Sequence, residues 1–184
     1  MLINCCPVCG GDHSSSLYPY RGEHELFSDL MLAKCHSCGI VFTTPMPEEN
    51  DLHTYNATYF ASAHGGKPND PLGMAFFFAM ARLRVAYLER YLIAKQVTVS
   101  KVLEFGPGPG FFAASWLERH PESAYIAVET DTSCYDDLEK LGVEMVNAES
   151  LSDDVESVDL VVMSHVLEHV TDPRVFIDNA IKNL

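Results

Sequence analysis

Val102-Leu103-Glu104-Phe105-Gly106-Pro107-Gly108-Pro109-Gly110-Phe111-Phe112 holds the clearest architectural signal in this chain of 184 residues. Residues 102–105 read as a short buried strand, the glycines as a turn, and residues 112–119 as a helix. Strand, glycine turn and helix in that order form the anion- and nucleotide-binding corner of a doubly wound α/β sheet. The glycine spacing narrows the ligand. A dinucleotide fingerprint, Gly-x-Gly-x-x-Gly, would need its third glycine where Phe111 stands. What stands instead is Glu104-x-Gly106-x-Gly108-x-Gly110, a flat backbone ledge with a carboxylate at its start that can hold an ammonium group.

Toward the C-terminus the same pattern repeats. Tyr125-Ile-Ala-Val128 reads as a second strand ending in Glu129, about 20 residues after the glycines, where a carboxylate can accept from both hydroxyls of a ribose. A third strand at 143–146 leads into Asn147-Ala148-Glu149, and a fourth at 159–163 leads into Ser164-His165-Val166-Leu167-Glu168-His169. In a parallel sheet all these strand ends lie on one edge, where a ligand sits. A glycine ledge with an acid at its head and a ribose-binding acid one strand later suits S-adenosylmethionine. Glu168 and His169 serve either as helix-start packing or in catalysis.

Toward the N-terminus, residues 72–94 carry a helical apolar pattern, with Arg82, Arg84, Glu89 and Arg90 marking the wet side. Before it, Gly65, Gly66, Pro68, Asn69 and Pro71 make a breaker-rich link. Tyr55 and Tyr59, four residues apart, fall on one helical face. They either pack that face on the next domain or stand as phenols at the mouth of an active site. Residues 39–44 read as a strand closed by Pro45 and Pro47. Ahead of them lie Cys6-Pro-Val-Cys9-Gly10 and Cys35-His-Ser-Cys38-Gly39, two knuckle turns that aim four thiolates at one ion. That is a closed structural zinc shell of Cys6, Cys9, Cys35 and Cys38, in which Cys5, His13 or His36 could replace a ligand. The expected organisation is a zinc-binding module over 1–64, a linker and helix over 65–98, and a Rossmann-like domain over 99–184.

Composition sets the boundaries. Apolar residues make up 47% and aromatics 10%, enough for a globular core. No stretch approaches the ~20 apolar residues of a membrane span, because 74–80 is cut short by Arg82 and Arg84, and no secretion signal is visible. A cytoplasmic protein without a membrane partner is expected. Residues 1–98 carry a net −2 and residues 99–184 a net −12, within a total of −14. So acidic a half repels a polyanion, which argues against a nucleic-acid partner.

The successive motifs Val-Leu-Glu-Phe-Gly-Pro-Gly-Pro-Gly, Glu129, Asn-Ala-Glu-Ser-Leu (147–151) and His-Val-Leu-Glu-His-Val-Thr-Asp-Pro (165–173) resemble those of class I S-adenosylmethionine-dependent methyltransferases. With two knuckles and the Tyr-x-x-x-Tyr segment ahead, the layout is similar to nucleotide-sugar (deoxysugar) C-methyltransferases. The resemblance implies Glu104, Gly106 and Gly108 around the methionine, Glu129 on the ribose, Asn147 and Ala148 beside the adenine, and His165 near the sulfonium. Phe105 and Phe111 would wall the pocket, with Gly110 closing the ledge. Tyr55, Tyr59 and His165 are the candidate bases for methylating carbon or oxygen on a small, sugar-like acceptor. A zinc-fingered rRNA methyltransferase and a non-catalytic cofactor-binding or interaction protein are the rival readings.

In that family the sheet continues with a fifth strand and a further hairpin, and the sugar enzymes add a domain whose histidine is held to be the base. This chain reaches Leu184 without them. The expectation is an N-terminal portion or a degenerate relative, inactive alone, whose strand at 159–163 leaves an open edge able to pair with another chain.

Overall fold

A computed structural model describes residues 5–21, 24–148, 151 and 157–184. Glu149 and Ser150 of the third motif lie outside the described residues. The fold is an antiparallel cysteine-rich module followed by a parallel α/β sheet of Rossmann type.

The module is a meander of β1 (Ser14–Pro19), β2 (Met31–Cys35) and β3 (Val41–Thr44). β1 and β2 carry no signal in the sequence reading. Their alternation is short, and burial is confined to one face, with Ala33 and Cys35 inward beside Phe42 and Cys6. Two short helices follow, α1 (Glu49–Asn56) and α2 (Tyr59–His64). Tyr55 and Tyr59 therefore stand on different helices, which corrects the single helical face expected from their spacing. The chain breaks helix at Ala57 and Thr58, and the two rings still meet edge to face at 6.0 Å.

The long helix α3 (Pro71–Lys95) starts where Asp70 accepts the Gly73 N–H at 2.8 Å and ends at Gln96 in the left-handed conformation. Arg82 and Arg84 lie within this helix, as the apolar pattern over 72–94 predicts. By length and composition alone its 25 residues could cross a membrane, which corrects the expectation that no segment reaches that size. Here its Ala81–Val85 face packs on α4 (Phe111–Arg119), where Val85 and Trp116 share one core. Glu89 then takes two bonds from Arg119, at 2.6 and 2.7 Å, tying the two helices at the rim.

The parallel sheet has the order β6-β5-β4-β7. Its strands are β4 (Lys101–Phe105), β5 (Ala124–Val128), β6 (Glu144–Met145) and β7 (Leu160–Met163). The strand expected at 143–146 is two residues long, and Asp159 is a clip rather than a strand residue. Its carboxylate accepts the N–H groups of Ser100 and Lys101 at 2.7 and 2.9 Å, locking the start of β7 to the start of β4.

Alternation divides the sheet between two cores. Val102, Tyr125, Ala127 and Val162 face Phe112, Ala113 and Trp116 of α4 and Leu138 of α5 (Tyr135–Lys140). Leu103, Phe105, Ile126 and Val128 face the other way, toward Leu151, Val158, and Phe176 and Ala180 of α6 (Pro173–Ala180). Both cores stop at the C-terminal strand ends, so those ends and their loops are left to form a site.

Candidate functional site

The four sulfurs of Cys6, Cys9, Cys35 and Cys38 all lie within 4.8 Å of one another. Cys6 Sγ is 3.7 Å from Cys38 Sγ, and Cys9 Sγ is 3.6 Å from Cys35 Sγ. A tetrahedral zinc with Zn–S bonds of about 2.3 Å requires sulfur separations of about 3.8 Å. Two of the separations match that spacing, and all four thiols lie close enough together to share one zinc ion. The two knuckles are built alike: Gly10 N–H returns to Cys6 O at 2.9 Å, and Gly39 N–H to Cys35 O at 3.0 Å. Both glycines hold positive φ, 71° and 77°, which a side chain would strain. Cys5 is exposed and outside the cluster.

At the strand ends of the parallel sheet lies a cavity of about 1440 Å³. Gly106, Gly108 and Gly110 lie in its wall with Phe105, Phe111 and Glu129, and Tyr59, Ala148 and His165 line it too. Asn147 lines an adjoining hollow of about 440 Å³ with Tyr135, Met145 and His53, and the two share Val128, Glu129, Thr130 and Ala148. Glu129 thus stands in the wall of both the smaller hollow and the larger cavity.

The glycine turn is pinned from below and filled from above. Gly106 N–H donates to Val128 O at 2.9 Å, and Gly108 N–H to Glu129 Oε2 at 2.7 Å. At Gly108 φ is +57°, and an added Cβ would stand 3.2 Å from the Phe60 ring. Only glycine lets the loop lie this close to α2. Glu129 Oε1 accepts the N–H groups of Thr130 and Asp131, each at 2.8 Å. Burial raises the Glu129 carboxyl above its usual range even though these amides pull it down. Oε1 thus has both lone pairs engaged by backbone amides, while Oε2, which accepts Gly108 N–H alone, keeps one for a ligand hydroxyl.

Glu104 lies behind the ledge rather than on the cavity wall. It is 2% exposed, and its Oε2 accepts the Tyr125 hydroxyl at 2.7 Å. Burial pushes its carboxyl up to about 7, against the Tyr125 bond. Tyr55 also lies off the wall, packed edge to face against Phe27 at 5.0 Å and His24 at 5.1 Å. Tyr59 reaches the cavity, its hydroxyl 3.2 Å from His64 Nε2 and its ring 4.9 Å from that of His169. Burial raises the Tyr59 phenol and lowers the His169 imidazole.

Among the described residues, His165 is one of two non-glycine residues with positive φ, at 57°. Its Nε2 lies 3.0 Å from Arg84 Nη2 and its Nδ1 3.3 Å from Glu168 Oε1. A guanidinium only donates, so Nε2 accepts and Nδ1 carries the proton given to Glu168. His165 can act as a base only if Arg84 lets go of Nε2.

Phe60, Arg84 and Asp131 are among the site residues that escape a reading of the sequence. Asp131 is 3% exposed and accepts Ser133 N–H and Phe60 N–H, both at 3.0 Å. Burial works against its charge, yet these bonds hold its carboxyl below the usual range. The Asp-Thr-Ser spacing signals the local cap. Its bond to α2, 71 residues away, has no local signature.

A methyltransferase-domain family profile matches residues 79–184. Among solved structures, the plantazolicin methyltransferase BpumL in complex with SAH is 12% identical with a TM-score of 0.53, over 73% of this chain and 56% of that one. The plantazolicin methyltransferase BamL, with a triazolic desmethylPZN analog and SAH, is 16% identical with a TM-score of 0.53, over 74% and 53%. These likenesses show the fold, and the chain spans a little over half the length of either structure. No curated protein matches the sequence.

Proposed function

The chain belongs to the methyltransferase-domain family, and we propose that it binds S-adenosylmethionine and transfers the methyl group to a small-molecule acceptor. The observation that carries this reading is the clamp between the glycine ledge and Glu129, a residue that lines two neighbouring hollows. The smaller hollow suits an adenine beside Asn147 and Ala148, Glu129 suits the ribose, and the ledge with Glu104 beneath it suits the amino-acid end. Solved proteins of similar fold hold SAH, the demethylated product.

Bound there, the cofactor supplies an electrophilic methyl on a sulfonium, open to in-line attack. The chain's part is alignment, which needs no metal at the reacting centre. Zinc at the four cysteines is architectural, in a module of residues 1–64 joined through 65–98 to the cofactor domain over 99–184. Tyr59, His64, His165 and His169 line the cavity and are the phenol and imidazoles that could take a proton there. A nucleotide-sugar acceptor, with carbon or oxygen methylation, rests on the resemblance of the knuckles and the Tyr-x-x-x-Tyr segment alone.

Isothermal titration with SAH tests the reading. Glu129→Ala removes an ionised acceptor, whose hydrogen bonds contribute about 1.5–3 kcal/mol each. Binding should weaken at least tenfold in a variant whose circular dichroism is unchanged. Equal affinity in the variant places the ribose elsewhere.

A further inference from the structure

We infer that the acceptor side of the cavity takes a planar aromatic or heteroaromatic molecule, held against ring faces, rather than a polyhydroxylated one. This rests on the methyl-transfer reading and names the substrate class for the same site. The volume comes first. Single-ligand pockets run to roughly 300–1000 Å³, and a cavity of about 1440 Å³ leaves room for a second molecule beside a cofactor.

Two sets of rings line the cavity. Phe77 of α3 stacks on Phe111 at 5.3 Å with planes 14° apart, and Phe78 meets Phe111 edge-on at 5.0 Å. From α2, Tyr59 meets Phe60 edge-on at 5.5 Å and His169 at 4.9 Å. Phe77 remains 43% exposed, a large apolar ring left facing solvent at the cavity. Ring faces and edges of this kind favour a flat π-system by offset and edge-on contacts.

Several of the polar side chains that line the cavity are already engaged with the protein. Lys67 Nζ donates to Asp137 Oδ2 and Ser133 O, each at 2.6 Å. Asp70 caps α3, and Asp131 holds the amides of Phe60 and Ser133. The Tyr59 hydroxyl meets His64, and both nitrogens of His165 are taken by Arg84 and Glu168. A sugar brings a hydroxyl on nearly every carbon, and each one moved from water onto this wall without a partner costs free energy. A planar aromatic has few such groups and gains by covering the rings.

The test is titration calorimetry on the 184-residue chain, first with SAH, then with 2-naphthol and with methyl glucoside in the presence of saturating SAH. Naphthol should bind and the glucoside should not. Phe77→Ala should weaken naphthol at least fivefold more than it weakens SAH. Phe77→Leu, which keeps apolar bulk but loses the π face, should weaken it in the same direction and guards against a folding defect. Glucoside binding where naphthol does not, or naphthol affinity indifferent to both substitutions, overturns the inference and leaves the cofactor reading standing. Failure of SAH itself to bind removes the methyl-transfer reading, and the inference with it.

Discussion

Glu104 should make cofactor binding proton-linked. Its carboxyl is 2% exposed, bonded to Tyr125, and raised by burial from 4.5 to about 7. In the free protein the folded state holds an extra proton between those two values. Its stability therefore falls as pH rises through that window, by up to about 3 kcal/mol in full above it. An ammonium group bound near the ledge reverses the preference, because it favours the ionised carboxylate. Below pH 7 the proton must leave before the ligand is held. With a value near 7, about 3% of the free protein is ionised at pH 5.5 and about half at pH 7.0. SAH should bind about fifteenfold more tightly at pH 7.0 than at pH 5.5. Calorimetry in buffers of different ionisation enthalpy should count close to one proton released at the lower pH. Glu104→Gln should flatten the dependence and remove the pH-linked loss of stability in the free protein. A dissociation constant that is level from pH 5.5 to 7.0, or a slope that survives in Glu104→Gln, refutes the reasoning.

Two further outcomes follow from named contacts. Metal analysis should find one zinc per chain, and a strong chelator or Cys38→Ser should speed hydrogen exchange across β1–β3 while β4 and β5 stay protected; unchanged exchange in chelator rules the site out as a structural one. Asp131→Ala removes the acceptor shared by Phe60 and Ser133, so it should cost about 1.5–3 kcal/mol in denaturant unfolding and raise exchange at the start of α2; a loss below about 0.5 kcal/mol, the scatter of surface substitutions, shows that α2 is held by other contacts.

Much of the architecture is written in short segments. The strand–glycine–helix corner at 102–119, the two knuckles and the strands ending at Glu129 and Ser164 are each settled by neighbours a few residues apart. Glycine at positive φ, two residues between thiolates and alternation along a strand all act over that range. The parallel order β5-β4-β7 is the arrangement that such units make when they stack.

Other features depended on where distant segments come to rest. Spacing placed Tyr55 and Tyr59 together, but the break at Ala57 sends Tyr55 to Phe27 and His24 and leaves Tyr59 at the cavity. Composition could not show that Glu104 turns to Tyr125 on the next strand, nor that Arg84 reaches His165 across 81 residues. Asp131 reads as a local cap, while its bond to Phe60 is what draws α2 down over Gly108. Local geometry is a property of a few consecutive residues. A side chain's partner, its burial and the protonation that follows are properties of the packed whole, because desolvation and charge act through space and not along the chain.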